Sequence, residues 1–288
     1  MSIWLRALRR IAFTVLVGGL LSATLARYAP GFGSDEDQLD THRGARQREQ
    51  AQVGSDVLSF YLSSLGGYLR GEFGVSRSLH RPVRDLLRER VRPTAIATLT
   101  GLCGAWILGL GAALLASFRN TALVRGGLGA GMSLLQCLPA AVIALFLVAL
   151  GGRGALLGGS AVTLVLAPRV VVYTGNILGQ ACRSPHILVA RARGLSRMRV
   201  LLRHAIPVSL PELVSFAGIS VSMALSAAIP VEVILDIPGI GQLAWQAALA
   251  RDMALLLAIT MMLSTAVVVS NTFAEYLVRP PGPPKERT

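Results

Sequence analysis

The sequence predicts an all-α membrane protein that crosses the bilayer six times. Three observations carry that prediction. Of 288 residues, 53% are hydrophobic and 15% charged, with a mean hydropathy of +0.58, whereas a soluble domain carries about 25% charge. The uncharged residues gather into stretches of roughly 20, the length that about 30 Å of hydrocarbon demands of a helix. The basic residues, 27 arginines and one lysine against 15 acids, lie between those stretches, where the positive-inside rule places them. A nucleic-acid binder would need a polar, clustered basic footprint instead.

The first candidate span, Ile11 to Ala26, holds 16 uncharged residues. It is short, and Arg6, Arg9, Arg10 and Arg27 can snorkel from its ends. Its basic start and the small residues Ala23 to Ala26 also fit a cleavable signal peptide. Retention gives an even number of spans, with both termini on one side. An outer loop follows from Tyr28 to Pro93, with 10 arginines and 9 acids. Its first half, Ser34 to Gln52, is polar and poor in aromatics. Its second half reads as a helix from about Val53 to Leu69, a turn at Gly71 to Gly74, and a helix opening on Pro82, a residue suited to a first helical position.

Thr94 to Phe118 is the second span, and Gly126 to Gly152, interrupted by Pro139, the third. Gly154 to Ala181 contains Pro168 and Arg169. Neither half of it is long enough to span, so it reads as one helix, the fourth. An arginine inside a span is costly and usually faces protein or a water-filled path. Val208 to Val231 and Met253 to Ala274 complete the six. The N-terminus, the loop with Arg119 and Arg125, the loop 183–207 and the C-terminal tail then share one side. That side is basic, and so cytoplasmic.

Catalytic chemistry is scarce. A nucleotide-binding P-loop needs a lysine that reaches the phosphates, and the single lysine is Lys285, in the tail. There is no G-x-S-x-G and no H-E-x-x-H. The histidines His42, His80, His186 and His204 lack metal-ligand spacing, and Cys103, Cys137 and Cys182 read as small apolar residues. Glu212, Glu232 and Glu275 fall near predicted helix ends, where solvation or capping accounts for them. Gly101 with Gly104, and Gly127 with Gly131, permit close helix approach.

The loop 183–207 is the most unusual stretch, with six arginines and no acid. Ser184 suits an N-cap, Pro185 a first helical position and Gly194 a helix stop. Ser196 suits the cap of a second helix that stops before Pro207. One face carries Ile187, Ala190 and Leu195, the other arginines. Such a loop can lie on anionic lipid or dock a cytoplasmic partner. The small residues Ala190, Ala192 and Gly194, read as exposed, favour docking.

Ala190-Arg-Ala-Arg-Gly-Leu-Ser196, followed by His204-Ala-Ile-Pro207, resembles the EAA loop of ABC-importer permeases, and most closely the dipeptide/oligopeptide (and nickel) subfamily. Gly71-Glu-Phe-Gly-Val-Ser76 resembles that subfamily's G-D-L-G-x-S. Glu232, Pro238-Gly-Ile-Gly241 and Arg251-Asp252 resemble its later motifs in the same order. The large loop after the first span resembles the first of the two permease subunits. The glutamate of the EAA name is absent, with Leu188 in its place, and Arg169 is no part of the pattern.

The resemblance implies the type I importer permease fold, six transmembrane helices with a periplasmic insertion after the first. Residues 1–27 would be the N-terminal tail and first helix, and 28–93 the periplasmic loop. Residues 94–280 would be a five-helix core carrying the coupling loop 183–207, and 281–288 a cytoplasmic tail. It also implies an inner-membrane subunit with both termini cytoplasmic. Its partners would be a second homologous permease, two ATP-binding subunits, an extracytoplasmic binding protein and membrane lipid. This chain would have no cofactor and no reaction of its own, because ATP belongs to the partners. Coupling to the ATPase would fall to Ala190, Arg191, Ala192, Gly194, Leu195 and His204. The translocation path would include Arg169 and Glu232. Asp236, Pro238, Gly239 and Gly241 would face the binding protein. The cargo, whether dipeptide, longer peptide, nickel or another solute, stays open. A standalone transporter would want paired repeats or intramembrane ion ligands, which are missing. A scaffold would tolerate changes at Gly194.

Overall fold

The computed structural model describes residues 66–68, 70–71, 73–119, 122–151 and 154–278, together with the helical positions Arg9, Phe13 and Val17. The first predicted span, the segment Ser34 to Gln52, most of the helix Val53 to Leu69 and the tail 281–288 lie outside the described residues. What is described is helical, apart from turns and one isolated bridge between Val75 and Pro82.

Helix α1 runs from Val83 to Arg119, α2 from Ala122 to Leu135, α3 from Ala140 to Ala149 and α4 from Ala155 to Ala181. In the loop, α5 covers Pro185–Ala192 and α6 Arg197–Val200. A π-helical turn, Leu201–Ala205, leads into α7, Ile206–Ile234. Then come α8, Ile240–Leu249, and α9, Met253–Val278. Four of the described helices are long and apolar enough to cross a membrane, and the bent pair α2–α3 makes a fifth if it counts as one span.

Three sequence expectations change. Pro82 is not the first helical residue. Its carbonyl opens α1 by accepting from the amides of Asp85 and Leu86 at 3.2 and 3.3 Å. The helix then continues through Pro93 without a break, so the predicted loop boundary at residue 93 falls inside it. The third span is broken. Pro139 has no N–H and sits in extended backbone (φ −61°, ψ 145°), and α2 and α3 meet at 85° across the gap. A proline disfavours helical backbone before it and removes a bond of its own. Here the break is closed locally, by Cys137 and Leu138 amides on the Leu134 and Leu135 carbonyls.

The third change is at Pro207, which does not stop the loop's second helix. The π turn sends the Ile206 amide back to Leu201, five residues earlier. That widening accommodates a ring that would otherwise clash with the carbonyl four residues before it. The chain is helical from Arg197 to Ile234. By contrast α4 does run unbroken through Pro168 and Arg169, as its length requires.

The described chain divides into two compact units. The first comprises 1–92 and 238–268. Within it Val83, Leu86 and Leu87 of α1 are buried with Ile240, Leu243 and Ala247 of α8 and Leu255, Ala258 and Ile259 of α9. The second comprises 93–237 and 269–288, and its core gathers Val162, Leu166 and Val170 of α4 with Phe216, Ala224 and Val231 of α7. Phe216 stacks on Tyr173 with ring centroids 4.8 Å apart. Close packing of α1 on α4 depends on glycine: a Cβ on Gly101 would stand 2.5 Å from the side chain of Val162, and one on Gly104 2.6 Å from Thr163 Oγ1. The approach also lets the Thr163 hydroxyl donate across the interface to the Gly101 carbonyl at 3.2 Å. Among the described residues, nothing lies within 4 Å of a Cβ at Gly127 or Gly131.

Candidate functional site

The loop 183–207 builds a short helix against the start of a long one. Ser184 opens α5 through its carbonyl, which accepts from Ile187 and Leu188. Its hydroxyl turns back and donates to the Ala181 carbonyl at 2.6 Å. Ser196 occupies the N-cap position of α6 but makes no side-chain cap bond. Gly194 ends the first helix as predicted. Its φ is +77°, and the Leu195 amide reaches back to the Ala190 carbonyl at 3.4 Å, the six-to-one bond of a Schellman turn. The same closure recurs with non-glycine residues in the left-handed position. Asp236 (φ 52°) ends α7 with Ile237 on the Glu232 carbonyl, and Arg251 (φ 53°) ends α8 with Asp252 on the Ala247 carbonyl.

The apolar face of α5 is committed inside the chain. Ile187 and Ala190 are buried with Val200, Leu201 and Ala205, and Leu195, Leu114 and Cys182 pack around them. Ala190 is therefore not exposed. The helical spacing that put it on the face of Ile187 also puts it in that core. Ala192 and Gly194 are exposed, Leu195 and His204 are half-buried, and Arg191 lies in the last turn of α5. The outward apolar residues are Leu188, which stands in place of the EAA glutamate, and Val189, each 53% exposed, with Met198 and Leu202; the last three were not singled out in the sequence. Arg193, Arg197, Arg199 and Arg203 are exposed on the same loop.

Arg169 is half-buried within α4 and makes no ion pair with a described residue. The residue before it, Pro168, has a carbonyl 3.5 Å from the Gln136 amide nitrogen at the α2–α3 break. The break in the third span thus meets α4 at the residue next to its arginine. Glu232 differs from its expected setting. It is 0% exposed in the last turns of α7, where Leu235 and Ile237 are also buried and the chain folds back, so solvation does not account for it. Of the residues expected to face a binding protein, Asp236 and Pro238 are exposed, whereas Gly239 and Gly241 are buried. These two belong to the packed start of α8.

Within the first unit lies a polar cluster that no single sequence motif announces. Asp252, 1% exposed, caps α9 by accepting from the Leu255 amide at 3.2 Å. Its other oxygen accepts from the Ser76 hydroxyl at 2.6 Å, the Ser78 hydroxyl at 2.9 Å and the Ser78 amide at 3.1 Å. Burial pushes this carboxyl up, but the hydrogen bonds from Ser76, Ser78 and Leu255 outweigh it and hold the group below its ordinary value. Two motifs 176 residues apart, ending at Ser76 and at Asp252, thereby meet. Nearby, the Tyr68 hydroxyl donates to the Ala254 carbonyl at 3.3 Å, and burial pushes its phenol up to about 12.

Comparison with known proteins decides the family. The model of the binding-protein-dependent transport system inner membrane component matches residues 105–280. The chain belongs to this family. Among similar proteins, the oligopeptide transport system permease protein OppB of Escherichia coli (strain K12) is 27% identical, over 84% of this chain and 85% of its own. The glutathione transport system permease protein GsiC of Shigella flexneri serotype 5b (strain 8401) is 25% identical, over 80% of each chain. OppB of Haemophilus influenzae is 26% identical over 75% of this chain and 76% of its own. The matched region takes in α4, the loop 183–207 and α7 to α9, so the Gly194 turn, Arg169, Glu232 and Asp252 of this permease component all lie inside it.

Proposed function

We infer that this inner-membrane transport component is the permease subunit of an ATP-driven importer and forms half of a path for peptides or similar small solutes. A second homologous permease supplies the other half. Two ATP-binding subunits hold and hydrolyse the nucleotide, and an extracytoplasmic binding protein delivers the cargo. Residues 28–93 are then periplasmic, both termini and the tail 281–288 are cytoplasmic, and 94–280 are the core. The peptide assignment rests on the names of OppB and GsiC and on similarity to them over 84% and 80% of this chain.

The single observation that carries the coupling role is the two-faced loop helix. Its inner face is packed against its own chain through Ile187 and Ala190, and its outer face offers Leu188, Val189 and Ala192 among arginines. A helix anchored on one side and apolar on the other is suited to a cleft on a partner protein. Lipid binding is the weaker account, because a membrane-surface helix needs a broad bulky face and this one has two large apolar residues. Asp236 and Pro238 offer exposed contacts to the binding protein, and Arg169 offers a charge to an acidic group of the cargo.

The test is gentle extraction of the tagged chain from its native membrane. Co-purification of a second permease and ATP-binding subunits is expected. Leu188→Glu with Val189→Glu should release the ATP-binding subunits and leave the second permease bound. Recovery of the chain alone in several detergents would favour a standalone transporter or a scaffold. ATP-binding subunits that stay on the double variant would remove the coupling role from α5.

A further inference from the structure

The near-balance of charge in the outer loop hides a division. Residues 35–56 carry six acids and three arginines, whereas residues 70–92 carry seven arginines and three acids. The basic part runs directly into the apolar stretch that begins at Thr94. Arginines flanking a span on its outer side run against the usual asymmetry, so they need a reason to be there.

The first turns of α1 supply the geometry. Its inner face is fixed by the buried Val83, Leu86 and Leu87. Arg84, Arg88 and Arg92 follow one another at four-residue intervals on another face, and all three are exposed. Four-residue spacing stacks them into one stripe. Asp85 and Glu89 stand on the adjoining ridge, but Glu89 is engaged by Arg81 at 3.2 Å. Arg84, Arg88 and Arg92 make no ion pair among the described residues. At 1.5 Å per residue, Arg92 stands about 3 Å and Arg88 about 9 Å outside Thr94, with Arg84 outermost at about 15 Å. The headgroup layer of a bilayer is about 5–8 Å deep on each side of the hydrocarbon, so Arg92 falls within it and Arg88 stands just above it, close enough for its long side chain to reach down.

We propose that the Arg84–Arg88–Arg92 stripe binds the headgroups of anionic phospholipid in the outer leaflet of the inner membrane. Guanidinium is suited to the role, since it engages phosphate oxygens through two parallel hydrogen bonds and keeps its charge when partly desolvated. The stripe favours lipid over an acidic protein because its lower end descends into the headgroup layer, where a soluble partner does not reach. The inference rests on the orientation proposed above, with residues 28–93 periplasmic, and is independent of cargo and coupling.

The experiment uses the full chain, with whatever subunits accompany it, in bilayers of phosphatidylcholine and photoreactive phosphatidylglycerol. After illumination the labelled peptides are located by mass spectrometry. Label is expected between residues 83 and 99. In Arg84→Gln/Arg88→Gln/Arg92→Gln this label should fall roughly tenfold or more, because each basic residue near an anionic surface is worth a factor of about five. Co-purification of the second permease and an unchanged thermal midpoint of the variant report that it is folded. The corresponding triple lysine variant should keep most of the label. Absence of label at 83–99 in the parent chain, or equal labelling in the glutamine variant, would overturn the proposal. So would a glutamine variant that keeps its lipid label but loses capture of the binding protein.

Discussion

Removing the Asp252 carboxylate should open the loop between Gly74 and Val83 without unfolding the rest of the chain. In Asp252→Ala the N-cap of α9 is lost, at about 1 kcal/mol. The Ser76 hydroxyl, at 0% exposure, loses its acceptor, which costs about 1–3 kcal/mol for a buried polar group. Ser78 is exposed, so water replaces the carboxylate there and little is added. The sum is about 3 kcal/mol. Ser76→Ala removes a hydrogen bond to a charged group, about 1.5–3 kcal/mol, and with it the acceptor of the Leu79 amide at 3.1 Å. The double variant should cost less than the two singles together, by about 1–2 kcal/mol, because the orphaned hydroxyl is gone. Hydrogen–deuterium exchange of the peptide covering residues 74–83 reads the local opening free energy, with the Ser76 and Ser78 amides as reporters, since they donate to Arg81 and Asp252. Additivity within about 0.5 kcal/mol would refute the view that Ser76 and Asp252 act as one unit. The pH dependence has a definite sign. Asp252 is held below its ordinary value, so the cluster's stability is complete above the unfolded carboxyl's value near 4 and is lost only as pH falls through the lower, folded one. Exchange of this peptide, corrected for its intrinsic rate, should be flat from pH 7 to about 4 and rise in stronger acid.

Three further outcomes follow from the geometry. Gly101→Leu drives a side chain into Val162 and should lower the thermal midpoint of the detergent-solubilised chain, with a cost of about 3 kcal/mol or more if the helices cannot separate; Gly127→Leu, with open space around it, should leave the midpoint unmoved. Gly194→Asn should retain uptake because asparagine tolerates a positive φ, while Gly194→Val should cost about 1–2 kcal/mol of loop stability from strain alone, measurable as faster exchange across residues 187–205. Arg169→Ala should abolish uptake of acidic or carboxylate-bearing cargo with the complex still assembled; unaltered uptake of such cargo would assign Arg169 to pairing within the assembly.

What the sequence revealed, and what it hid, divides along the range of the interactions. Gly194 was legible because a helix stop is a local matter of φ. The single helix through Pro168 was legible because two half-length segments cannot span. Pro207 misled because its usual effect was cancelled by one widened turn, and no residue type encodes a π turn. The span break at Pro139 was visible as a proline, but the 85° angle depends on what α4 and α7 leave room for. Ala190 was placed on the correct face of α5, yet whether that face meets solvent or Leu201 depends on the following helix. The Ser76–Asp252 pair was hidden most completely. Both residues stood inside recognised motifs, but nothing in either motif says that a carboxylate from one caps a helix while accepting a hydroxyl from the other.

The unbroken helix from Arg197 to Ile234 has a mechanical consequence. At 1.5 Å per residue its 38 residues form a rod about 57 Å long, with α5 strapped to its first turns through Ile187, Ala190, Val200 and Leu201. A loop joined to a span by slack chain would absorb a push; this one is the end of the beam itself. Displacement of α5 would travel along the helix axis to the turns that hold Glu232, and a twist would travel with it. The π turn is the point where pitch can be exchanged: losing its extra residue would restore α-helical bonding and rotate everything before it by about 100°, turning the arginine-bearing end of the rod without shifting the other.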